Sequence, residues 1–172
     1  MNKSIRENYN PNPFYFVEYN EEYSYSRIVS FTQNNIQLKK IFIEVIEYFP
    51  QEIEILLKVP KDKDYKRYYG SIEKYKLTVA LEKYEEFVLE DGSYQLCIKN
   101  PNNDENIALD EHGILFIYST NDVYINLLEK NNYISLKEEL IYAKPHFHQF
   151  IKDSEIYLNR FIKELELEEV EQ

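Results

Sequence analysis

The chain has 172 residues, 44% of them hydrophobic, which is enough for one domain with a sizeable core. Its 20 Lys and Arg against 31 Asp and Glu leave a formal net charge of −11, and this argues against a general nucleic-acid binder, which needs a basic footprint. A single cysteine excludes an intrachain disulfide framework and makes reducing cytoplasm the expected compartment, while the absence of an apolar signal core or a ~20-residue apolar run argues against secretion and a membrane span.

In chain order, residues 1–13 are polar and read as a loose lead-in. Residues 14–19 read as a strand, and 23–32 as a firmer one rich in aromatic and β-branched side chains. Over 34–49, Leu38, Ile41, Phe42, Val45, Ile46 and Phe49 recur at helical spacing. Thr32 or Asn34 is the expected cap of that helix, and Pro50 its stop. Residues 52–59 alternate as a strand, with Ile53, Ile55, Leu57 and Val59 on one face. Lys61–Asp64 reads as a solvated loop, and residues 65–69, which mix Lys66 and Arg67 with three tyrosines, continue it as surface loop and are the most basic part of the chain. Basic groups among aromatics suit a stacking platform, which the net charge disfavours here.

Residues 71–86 fit both periods, and their length and Glu, Lys, Leu and Ala content favour a helix through Tyr84 with Ser71 as its cap. The stretch 87–118 reads as an antiparallel meander. Phe87-Val88-Leu89 is its first strand, Asp91-Gly92 a hairpin turn, and 93–99 the second strand. Residues 100–106 are turn-rich, 107–109 form the third strand, and Asp110-Glu111-His112-Gly113 the next turn. Residues 114–118 are apolar on both faces and are expected to be central. A helix follows from Ser119-Thr120-Asn121-Asp122, with Asn131-Asn132 at its end. Residues 136–141 suggest a short helix or turn, 143–151 a loop, and 153–167 a last helix. The acidic end, 168–172, is expected to fray. The predicted fold class is α+β: a mainly antiparallel sheet with helices packed mostly on one face.

Chemistry-bearing residues are few. His112, His146 and His148 are the only histidines, and the three glycines form no phosphate-cradling loop. His146 and His148 fall on one side of an extended segment. With His112 and the carboxylates of Asp110 or Glu111 they can in principle complete a metal site. The same acids beside an imidazole suit acid–base work. Cys97 reads as an inert strand thiol.

The acidic, tyrosine-rich make-up is expected to belong to a non-enzymatic cytoplasmic binding protein that requires no cofactor. Its concrete form is an immunity protein that occludes a basic toxin, because complementary charge speeds encounter and sets specificity. Partner contacts are expected at Asp110, Glu111, His112, His146 and His148, with neither nucleic acid nor membrane as partner. The alternative is a small metal-dependent or acid–base hydrolase in which those histidines and carboxylates converge.

Overall fold

The computed structural model describes residues 4–5, 12–19, 26–61, 64–137 and 147–171. The elements run β1 (Ser4–Ile5), β2 (Phe14–Tyr19), β3 (Ser26–Phe31), α1 (Asn35–Ile46), β4 (Glu52–Lys61), β5 (Asp64–Glu73), α2 (Lys74–Lys83) and α3 (Glu85–Glu90). They continue with β6 (Gln95–Lys99), β7 (Asn106–Leu109), β8 (Ile114–Ser119), α4 (Val123–Lys130), β9 (Ile134–Ser135), β10 (Phe147–His148), α5 (Ser154–Glu164) and β11 (Glu168–Val170).

Nine strands form one sheet in the order β11-β5-β4-β6-β7-β8-β3-β2-β9. Every pairing in it is antiparallel except β2 with β9. β1 and β10 pair separately, with Ser4 opposite His148. The fold is therefore α+β with a dominant antiparallel sheet and helices on one face.

Side-chain alternation sets the two faces. Ile53, Ile55 and Leu57 of β4 point to the helices, as do Leu96 and Ile98 of β6, Ile107 and Leu109 of β7, and Leu115 and Ile117 of β8. They meet Leu38, Phe42 and Val45 of α1, Leu77 and Leu81 of α2, Leu127 and Leu128 of α4 and Phe161 of α5 in one core. Full burial of such a side chain contributes about 1.5–3 kcal/mol, so this face fixes the strand register. On the opposite face Phe14, Phe16, Val29, Phe31 and Ile114 make a second, smaller cluster. β8 lies between β7 and β3 and is buried on both sides, as its doubly apolar sequence requires.

The local stops and starts follow known chemistry. The Asn34 side chain accepts from the amides of Ile36 and Gln37 and caps α1, which ends at Ile46, before Pro50. The Lys74 ammonium, nearly buried, donates to the carbonyls of Glu47 and Phe49 and satisfies the exit of α1.

Five expectations are corrected. Residues 85–90, which contain Phe87-Val88-Leu89, are the helix α3, because a short apolar run carries no period of its own. Glu85 and Glu86 in its first turn suit the positive helix end. Asp91-Gly92 is consequently a helix-to-strand connection: the buried Asp91 carboxylate accepts from the amides of Ser93 and Ile151, and the Gly92 amide donates to the Gln149 carbonyl. Residues 64–73, expected to be surface loop and then the start of a helix, are the ten-residue β5, paired along its length with β4. α2 begins at Lys74, with Glu73 rather than Ser71 at its cap position. The Ser119–Asp122 pattern also works differently, since Asn121 rather than Ser119 accepts the Val123 amide at the entry to α4.

Glu168–Val170, expected to fray, pairs with Tyr69–Arg67 of β5. Residues 138–141 of the expected short helix or turn, and His146, lie outside the described residues. No described helix is long and apolar enough to cross a membrane.

Candidate functional site

The β7–β8 turn concentrates the ionisable groups. Asp110 leaves β7 with its Oδ1 accepting from the amides of His112 (2.9 Å) and Ile114 (2.8 Å). The Asp110 carbonyl accepts from the Gly113 amide, and Gly113 has φ 76°, a conformation that glycine adopts at little cost. This double anchoring leaves Oδ2 facing the His112 ring, 3.1 Å from Nδ1.

Glu111 is held from the neighbouring strand. Its Oε2 accepts from Gln95 Nε2 at 2.6 Å, and its Oε1 lies 3.9 Å from His112 Nδ1. One ligand atom each from Asp110, Glu111 and His112 therefore lies within 4.8 Å of the others. Tetrahedral coordination with bonds of about 2.0–2.1 Å separates ligand atoms by roughly 3.3 Å; the 3.1 Å and 3.9 Å separations from Nδ1 approach this, and the widest separation in the set, up to 4.8 Å, would have to contract for one ion to take all three. His112 is only 8% exposed, whereas Asp110 and Glu111 are half-buried.

Two protonation states suit this geometry. With a proton on Nδ1, Asp110 orients the imidazole and leaves Nε2 as the working nitrogen of an acid–His pair. With Nδ1 deprotonated, His112, Asp110 and Glu111 are the residues that could hold a cation.

β10 brings a second imidazole to the first. The rings of His112 and His148 lie 4.8 Å apart between centroids, and the His148 ring faces Phe150 at 6.5 Å. The convergence of histidines that the hydrolase alternative requires occurs for this pair, across a sequence separation that no local pattern encodes. His112 itself is too buried to serve as a broad contact surface for a partner.

Two clefts flank the turn. One, of about 870 Å³, borders Glu111, His148, Phe150 and Tyr68 between the β4–β5 ends and α5. The other, of about 640 Å³, lies on the helix-free face of the sheet and includes Asp110, Glu111, His112, Lys58, Gln95 and Cys97. Burial pushes the Cys97 thiol up, against an opposing pull from the Lys58 ammonium, so it is an unreactive neighbour. Sequence reasoning missed Gln95 and Lys58. Their outward position in alternating strands was visible, but their approach to the turn depends on register.

Both cations of the basic-aromatic stretch of β5 are paired among the described residues. Lys66 pairs with Glu169 at 3.5 Å and Arg67 with Asp64 at 3.7 Å. No family model matches the chain, and neither a curated protein nor a solved structure shows a match to it.

Proposed function

We propose that this protein is a small metal-dependent hydrolase whose ion is held at the β7–β8 turn by Asp110, Glu111 and His112. The observation that carries it is the grouping of three ligand atoms within 4.8 Å on the lining of one cleft, with Glu111 also bordering a second. The mixed nitrogen and oxygen set suits a zinc-class ion. Three protein ligands leave a coordination position open, and an ion there would activate a water or polarise a carbonyl or phosphoryl oxygen. Gln95 fixes the Glu111 carboxylate, and the turn amides fix Asp110, so both acids are pre-oriented.

The test is metal content of purified protein, followed by zinc titration of wild type and His112→Ala. The expected result is one ion per chain, with affinity reduced at least about 100-fold in the variant. A wild type that binds no zinc, cobalt or manganese, or a variant that binds as well as wild type, overturns the reading.

A second reading is the immunity protein that occludes a basic toxin. The net charge of −11 supports it, as do exposed aromatics at Tyr19, Tyr48 and Tyr75, a residue type enriched where proteins meet. It predicts a basic partner recovered in stoichiometric amount at low salt and depleted at high salt. Recovery of this chain alone at both salt concentrations rejects it.

A further inference from the structure

Lys58 stands out on the helix-free face. It is half-buried and lies opposite Gln95 on β6 and Arg67 on β5. It has no ion-pair or hydrogen-bond partner among the described residues, although the chain carries eleven more acids than bases. Its neighbours are satisfied: Arg67 pairs with Asp64, Lys99 with Glu54 at 3.8 Å, and Gln95 donates to Glu111. Lys58 lines the cleft shared with Cys97, Asp110, Glu111 and His112. A partly desolvated cation without a counter-ion is costly, and a bound anion offsets that cost.

We propose that Lys58 is the anion-recognition residue of this cleft and that the substrate is a small molecule bearing an oxyanion, a carboxylate or a phosphate. Opposite-strand neighbours lie about 5 Å apart. Lys58 is thus one neighbour from Gln95, which itself holds Glu111. A ligand of a few atoms can therefore reach from Lys58 to the turn cluster. The oxyanion anchors one end, and the opposite end meets the proposed ion. This account rests on the metal-site reading for the fate of the captured molecule, whereas capture is a property of Lys58 alone.

The experiment is calorimetric titration of metal-free protein with inorganic phosphate and, separately, with acetate. The chains are wild type, Lys58→Met and Lys58→Arg. At least one of the two anions is expected to bind wild type, to bind Lys58→Met at least about tenfold more weakly, and to recover with Lys58→Arg. The anion that binds identifies the source of the oxyanion. Thermal midpoints complete the test: the binding anion raises that of wild type and leaves that of Lys58→Met unchanged. Lys58→Met alone is expected to melt at or above wild type, which separates lost binding from lost folding.

Failure of both anions to bind wild type, or equal binding by Lys58→Met, overturns the inference. Lys58-dependent anion binding in a protein that takes no metal supports this inference and rejects the metal site.

Discussion

Asp110 carries two duties on two oxygens. Oδ1 closes the turn through two backbone amides, and Oδ2 faces His112. Asp110→Asn keeps an oxygen for the amides and removes the charge beside the imidazole. Stability is expected to change by no more than about 1 kcal/mol, and zinc affinity to fall by at least about tenfold. Urea denaturation and metal titration on the same variant check both halves. A loss of stability without a loss of affinity makes Asp110 a turn residue only. Asp91 shows the contrast: it also accepts two amides and is fully buried where Asp110 is half-buried, but it joins α3 to the segment before α5 and lies outside the cluster. Identical residue types thus serve different ends. The sequence showed both as an acid beside a turn and gave no means of telling them apart.

At the scale of the element, β11 is the sheet's least anticipated strand. Three exposed residues carry no apolar alternation, yet they pair with β5. Leu167, just before them, is buried against Gly70, where an added Cβ would lie 2.8 Å from the leucine's Cδ2. Glycine at 70 therefore admits the close approach that brings the C-terminal segment to the edge strand. Gly70→Val is expected to displace Leu167 and to cost about 1–3 kcal/mol. Hydrogen exchange at the β5 amides that pair with β11 is expected to quicken, while exchange in β6 stays unchanged. Unaltered protection at Tyr69 and Arg67 rejects this account. The edge is also tied by Lys83 to Glu164 at 2.5 Å and Lys76 to Glu166 at 3.4 Å. The Lys83 contact holds the Glu164 carboxyl below its usual range, and the Glu164 carboxylate raises the Lys83 ammonium. Being exposed, this pair contributes little to stability.

Across the whole molecule, tyrosine supplies core bulk as well as surface. Burial pushes the phenols of Tyr94, Tyr124 and Tyr133 upward, with the Asp91 charge adding to the effect at Tyr94 and the Glu105 charge at Tyr124. A folded-state value above the unfolded one means that their stabilisation is complete below the unfolded value of about 10. It is lost as pH rises from there toward the folded values. Denaturation midpoints are therefore expected to fall steeply between about pH 10 and 12, with tyrosinate absorbance rising together with the loss of circular dichroism. Replacing Tyr133 by Phe is expected to flatten that slope, and an unchanged slope rejects its part in it. Much of this architecture was legible in the sequence. The α1 stripe, the β4 alternation, the doubly apolar β8 and the turn at residues 110–113 are local patterns, and local patterns determined the α+β class. The short run at 87–89 has no period, and β5 looked like loop because its tyrosines and charges mask the alternation. Only tertiary structure decided those, because a strand is stabilised by the neighbour that pairs with it. The turn cluster divides in the same way. The sequence placed Asp110, Glu111 and His112 side by side. The sheet register brought Gln95 and Lys58 to them, and chain return through β10 brought His148, since contacts between residues far apart in sequence are set by packing.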